Sequence, residues 1–232
     1  MTTRGLLVAY LLVAVADVVG EATDTAVLVL ATKPLLMPLL MAWLMLAVRT
    51  DGGFGTPLRW LAAGIAFAWI GDLALMGSGD LFFMGGIGAF LLMQVCYLTA
   101  FLRVPGLGLV RAWKIAAVPY ILIWLAMNVL VSAGVGAMRI PVMVYSAVAL
   151  AMALAALDLV LRVPRPLGWR VAWGALLFVL SDALIAVTTF GPLTATPNTS
   201  ALIMAIYVIA QAMIVTGTAG SVLARRADAA TR

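Results

Sequence analysis

Two carboxylates stand in stretches of sequence that are otherwise greasy. Asp72 lies in Phe67-Ala68-Trp69-Ile70-Gly71-Asp72-Leu73-Ala74-Leu75-Met76, and Asp182 in Phe178-Val179-Leu180-Ser181-Asp182-Ala183-Leu184-Ile185. One cation, Lys33, sits in Leu30-Ala31-Thr32-Lys33-Pro34-Leu35-Leu36-Met37-Pro38-Leu39. A charge at mid-bilayer costs roughly 2.5–3.5 kcal/mol on insertion scales, so a chain keeps one there for a partner, a cavity or a chemical task. Two acids and one base leave a carboxylate unbalanced. If the two acids lie close they share a proton, and one then serves as acid while the other serves as base. The structural alternative is an ion pair, most simply Lys33 with one aspartate, that fastens helices together.

Other polar side chains fall in the same apolar stretches. Gln94 and Tyr97 share a helix face at i, i+3, Tyr207 and Gln211 share one at i, i+4, and Tyr145 stands alone. They either contact a ligand or make interhelical hydrogen bonds, worth about 0.6 kcal/mol each on average in membranes. Histidine is absent. That excludes Ser-His-Asp and Cys-His machinery and leaves acid–base work to carboxylates, lysine or tyrosine. The single cysteine, Cys96, cannot form an intrachain disulfide, and without histidine the usual zinc sites are excluded. A carboxylate-only site for Mg²⁺ or Ca²⁺ stays open on composition. The reading nevertheless assigns no metal and no cofactor.

The elements that must position these residues follow from composition. The chain is 66% hydrophobic and only 10% charged, with a mean hydropathy of +1.18. Soluble domains run at about 45–50% apolar and about 25% charged, so this is an integral membrane protein. A net charge of +5 does not point to nucleic acid, because the basic residues are scattered. A membrane helix takes about 20 apolar residues. Eight stretches qualify: 5–20, 25–48, 58–77, 81–102, 113–133, 138–161, 167–190 and 201–223. Asp51-Gly52-Gly53, Gly77-Ser78-Gly79-Asp80, Pro105-Gly106-Leu107-Gly108, Pro164-Arg165-Pro166 and Pro192 with Pro197-Asn198 break them. No break has room for a soluble domain. The expected architecture is all-α, one polytopic membrane bundle over residues 1–232.

Arg4, a short apolar stretch and Ala14-Val15-Ala16 have the outline of a signal peptide. The apolar run continues to Gly20, which favours a retained helix. With the N-terminus in the cytoplasm, Arg4, Arg49, Arg59, Arg103, Arg111, Lys114, Arg162, Arg165, Arg170, Arg225, Arg226 and Arg232 all lie on the cytoplasmic side and only Arg139 lies opposite. This bias follows the positive-inside rule, so both termini are expected in the cytoplasm, as in a bacterial-type inner membrane. Asp72, Asp182, Lys33, Tyr145, Tyr207 and Gln211 then gather toward the outer face, with Gln94 and Tyr97 near the middle. Asp17 and Asp158 stand near helix ends and are expected to reach water or headgroups, with Asp17 bordering the polar layer. Gly64 precedes Asp72 by the same spacing as Gly174 precedes Asp182, and Lys33-Pro34 has an echo in Arg139-Ile140-Pro141. A parallel duplication of four helices would explain both echoes, as would chance similarity among greasy helices.

Several of these segments, taken in order, resemble a known family. Thr32-Lys33-Pro34-Leu35-Leu36-Met37-Pro38, Trp69-Ile70-Gly71-Asp72-Leu73-Ala74-Leu75-Met76, Gly88-Ala89-Phe90-Leu91-Leu92-Met93-Gln94-Val95-Cys96-Tyr97, Phe178-Val179-Leu180-Ser181-Asp182 and Tyr207-Val208-Ile209-Ala210-Gln211 are similar to motifs of the YhhN membrane proteins, which include the animal lysoplasmalogenases. The resemblance implies eight spans and hydrolysis of the vinyl ether bond of lysoplasmalogens, giving a fatty aldehyde and glycerophosphoethanolamine or glycerophosphocholine. It implies that Asp72 and Asp182 are catalytic and that Lys33 matches the family's Lys-Pro lysine. Many members carry histidine where this chain has Gln94, and glutamine cannot shuttle a proton.

The residues suit that chemistry on their own terms. A vinyl ether is hydrolysed by proton transfer to carbon, addition of water to the oxocarbenium ion and collapse of the hemiacetal, which calls for a protonated acid and a carboxylate. Lys33, Tyr207, Gln211, Gln94, Tyr97 and Tyr145 are expected to bind the substrate. The expected partners are a lysophospholipid substrate and membrane lipid, with a homo-oligomer left open. The competing reading is a proton-coupled transporter of small molecules or lipids using the same charges. A helix broken at Lys33-Pro34 would support it.

Overall fold

The structure, a computed structural model, describes residues 2–49 and 53–230. The expected turn residues Asp51 and Gly52, and the terminal charge Arg232, lie outside the described residues. All regular structure within them is helical, in the order α1 (Thr3–Ala22), α2 (Ala26–Val48), α3 (Thr56–Leu75), α4 (Asp80–Leu102), α5 (Leu109–Ala112), α6 (Val118–Val131), α7 (Arg139–Arg162), α8 (Arg165–Phe190) and α9 (Pro197–Ala230). A 3₁₀ turn over Lys114–Ala117 leads into α6 and another over Gly136–Met138 leads into α7. Eight helical stretches of the described residues are long and apolar enough to cross a membrane, so this is a multi-pass membrane protein. The expected spans agree with them to within a few residues, except that α9 runs on to Ala230.

The ends of these helices are written in the sequence. The Thr2 hydroxyl accepts from the Gly5 amide at 3.1 Å and caps α1. Pro57 and Pro166 occupy the first turns of α3 and α8, and Pro197 opens α9, where a missing amide proton costs nothing. Side chains such as Leu12, Val129 and Ile140 are 67%, 73% and 74% exposed, as lipid-facing residues must be.

Seven of the long helices pack in a closed circuit, α1 on α2, α3, α4, α7, α8 and α9, with α9 returning to α1 and also crossing α2 and α3. The helix α6 stays outside this circuit and leans on α7 and α8. The buried core fills the circuit with Tyr10, Leu36, Ile65, Met93, Tyr97, Phe101, Phe178 and Ile214 among others. Two glycines set the spacing of α3 against α4. A methyl group on Gly64 would enter the Tyr97 ring, and one on Gly71 would stand 2.8 Å from Phe90.

One end of the bundle is tied by arginines. Arg162 donates to Asp158 at 2.8 Å and to the Val104 carbonyl at 3.3 Å. Arg225 reaches the carbonyls of Arg162 at 2.7 Å and Pro105 at 3.0 Å, and Arg226 reaches the Gly53 carbonyl at 2.9 Å. These bonds gather the ends of α4, α7 and α9 with the loop before α3. They also correct the expectation for Asp158. It is buried, because its oxygens take Arg162 and the Val110 amide at 2.6 Å. The duplication finds no support in the prolines: Pro34 lies well inside α2, whereas Pro141 falls in the first turn of α7.

Candidate functional site

The polar residues of the apolar stretches fall into two hydrogen-bonded groups, one around each aspartate. The first surrounds Asp182. On α8, Ser181 donates to the Ile203 carbonyl of α9 at 3.1 Å, which fixes the face Asp182 presents. Tyr145 of α7 donates to Asp182 Oδ2 at 2.9 Å and Gln94 of α4 donates to the same oxygen at 3.2 Å. Both donors take Oδ2, so Oδ1 is left for a ligand. Gln94 is fully buried and its own Oε1 has no partner among the described residues.

Asp182 and Tyr145 line an open cleft with a cavity volume of about 130 Å³, bounded mainly by α4, α6, α7 and α8. Its walls are Phe83, Ile87, Phe90, Met127, Val142, Val179 and similar side chains. The cleft exists because α6 leans on α7 and α8 and leaves a gap toward α4. An apolar trough with a carboxylate in its wall can hold a hydrocarbon chain and present an acid to it.

The second group lies where α1, α3, α4 and α9 meet. Tyr207 of α9 donates to Asp72 Oδ2 at 2.9 Å, and both residues are 6% exposed. Tyr97 donates to Gln211 Oε1 at 2.8 Å, and Gln211 reaches the Met93 sulfur at 3.3 Å. Tyr10 of α1 donates to the Val208 carbonyl at 2.6 Å.

Three expectations are corrected here. The two aspartates are not a hydrogen-bonded pair: Asp72 is held by Tyr207, and Asp182 by Tyr145 and Gln94. Only Asp182 lines the cleft. Aromatic rings connect the two groups, since Phe90 in the cleft wall meets Tyr207 edge-on at 5.9 Å and Phe178 at 6.4 Å. Second, Lys33 pairs with neither of these aspartates. It bonds Glu21 at 2.6 Å, with about a fifth of each side chain exposed. Third, Asp17 does not reach water. It is fully buried, one oxygen accepts from Thr32 at 2.7 Å, and the other has no partner among the described residues.

Glu21, Asp17, Thr32 and Tyr10 are the polar residues that the sequence reading left outside its site. The turn at Thr23–Thr25, with Asp24 at φ 51°, folds α2 back along α1 and sets Glu21 beside Lys33 and Asp17 beside Thr32. The signal was present in the short Thr-Asp-Thr connection, which forces neighbouring helices to pair. Trp69 also has a role beyond that of an interface anchor. Pro38 has no amide proton to give the Pro34 carbonyl, and Trp69 Nε1 donates to that carbonyl at 2.9 Å. The helix α2 therefore runs unbroken through both prolines, and the broken helix that would have supported a transporter is not there.

No curated protein and no solved structure gives a significant match to this chain. Residues 28–218, from near the start of α2 to about two-thirds of the way along α9, match the YhhN family. That stretch holds Lys33, both aspartates and all of their tyrosine and glutamine partners, and the chain belongs to the YhhN family of membrane proteins.

Proposed function

We propose that this protein is a lysoplasmalogenase, hydrolysing the vinyl ether bond of a single-chain alkenyl phospholipid in the bilayer. The observation that carries the reading is Asp182, set in the wall of an open apolar cleft with one oxygen fixed by Tyr145 and Gln94. The alkenyl chain lies along Phe90, Met127 and Val179, with the vinyl carbons beside Asp182. The protonated Asp182 carboxyl gives its proton to the outer carbon of the double bond, and the charge passes to the ether oxygen as an oxocarbenium ion. Water adds to the inner carbon and returns a proton to the Asp182 carboxylate. The hemiacetal then breaks at its bond to the glycerol oxygen, which takes up a proton as the aldehyde leaves. One water is consumed, and no metal or nucleophilic serine is needed.

In this reading Asp72 is a positioning residue. It fixes Tyr207, whose ring backs Phe90 in the cleft wall. Lys33 and Glu21 form a partly exposed ion pair away from the cleft lining, and in this reading the pair joins α1 to α2 rather than holding the lipid. The arginine-tied end faces the cytoplasm of a bacterial-type inner membrane, and both termini lie on that side. The experiment is to incubate purified protein in detergent, with no gradient, with a lysoplasmalogen. Fatty aldehyde and glycerophospho-alcohol should appear in equal amounts. Transport of the intact lipid in vesicles with no aldehyde released would overturn the reading in favour of a carrier.

A further inference from the structure

The cleft holds a second polar group besides the acid and its partners. Trp124 and Asn128 of α6 and Ser146 of α7 all line it together with Asp182 and Tyr145. Their hydrogen bonds fix which atoms are used. Trp124 Nε1 donates to Ser146 Oγ at 3.0 Å, and Ser146 donates to the Met143 carbonyl at 3.2 Å. Asn128 Nδ2 donates to the Trp124 carbonyl at 2.9 Å and to Ser146 Oγ at 3.4 Å. A carbonyl can only accept, so the amide orientation is set. Both Nδ2 protons are spent and the serine hydroxyl is fully engaged. One acceptor of the trio, Asn128 Oδ1, makes no hydrogen bond among the described residues. Asn128 lies about one turn before the end of α6, toward the loop that leads to α7. It is part-buried and lines the cleft, so this oxygen can accept from a molecule lying there.

We propose that Asn128, held by Trp124 and Ser146, accepts a hydrogen bond from an O–H or N–H donor on the polar part of a single-chain ether lipid in the cleft. The donor is the free glycerol hydroxyl or a headgroup ammonium. The site rests on the reading that such a lipid occupies the cleft, and it explains how a lipid lacking its second acyl chain is told from one that has it: acylation removes the hydroxyl donor.

The test is binding to saturated 1-O-alkyl ethers, which cannot be hydrolysed at a vinyl bond. The probes are the lyso-phosphocholine ether, its 2-O-methyl analogue and the lyso-phosphoethanolamine ether. Asn128→Leu should weaken the lyso-phosphocholine ether about five- to tenfold, a loss in the range of one hydrogen bond, and leave the 2-O-methyl analogue unchanged. Loss confined to the ethanolamine probe would assign the donor to the ammonium. Ser146→Ala, which removes one anchor of Asn128, should give a smaller loss in the same direction and serves if Asn128→Leu does not fold. Unchanged binding of every probe by both variants would overturn the inference and leave the hydrolase reading standing. Failure of the wild-type protein to bind any single-chain ether would overturn both.

Discussion

Asp182 and Asp72 look alike in sequence and are placed differently in the structure. Asp182 meets the cleft with one oxygen held by two donors, whereas Asp72 sits behind Tyr207. Asparagine at 72 still offers an oxygen to the tyrosine hydroxyl and alanine does not. Asp72→Asn should therefore lower kcat for aldehyde release by less than Asp182→Asn does, and Asp72→Ala should lower it further than Asp72→Asn. Equal and complete loss in Asp72→Asn and Asp182→Asn would show that Asp72 acts directly. The sequence singled out both acids because a carboxylate in an apolar stretch is conspicuous. It could not show their separation, since that depends on which helices become neighbours. Asp17 was undervalued because closeness to a helix end suggests water, while the α1–α2 turn folds it back against Thr32 of α2.

At the scale of the element, α2 shows how a membrane helix tolerates two prolines. Trp69 from α3 supplies the hydrogen bond that Pro38 cannot give to the Pro34 carbonyl. Trp69→Phe should lower stability by about 1–2 kcal/mol, the cost of leaving that carbonyl without a donor. The loss should shrink when Pro38→Ala restores the amide within the helix. Thermal unfolding in detergent of the two single variants and the double variant measures this coupling, and strictly additive losses would refute it. A second element-level test concerns the approach of α3 to α4. Gly64→Ala pushes a methyl group into Tyr97 and should cost about 1–3 kcal/mol, read as a lower melting temperature. The helix boundaries were legible because capping threonine, proline in first turns and glycine breaks act locally. The exclusion of α6 from the circuit was not, because its sequence is as apolar as that of its neighbours.

Among the described residues seven long helices form a circuit with an eighth leaning outside, and the cleft is the space that the outer helix leaves. The opposite end is tied by Arg162, Arg225 and Arg226. Arg162 and Asp158 are 7% and 6% exposed, so removing one partner strands a buried charge. Arg162→Ala should destabilise the protein by about 3–5 kcal/mol, and the double change Arg162→Met with Asp158→Leu by much less. Equal melting temperatures for the Arg162→Ala and wild-type proteins would show that the pair does not tie the bundle. Composition made the membrane class plain at once, since a chain this apolar has no other way to cover its helices. Which faces would enclose a cavity had to come from packing.

The central claim is that the Asp182 carboxyl donates the proton that opens the vinyl ether. The most direct measurement is the initial rate of aldehyde release from a lysoplasmalogen by purified wild-type and Asp182→Asn proteins in detergent, with melting temperatures confirming that both are folded. The account predicts a fall of about 10²–10⁴-fold in Asp182→Asn, the usual worth of a general acid. An Asp182→Asn protein that is folded and releases aldehyde at the wild-type rate would contradict it.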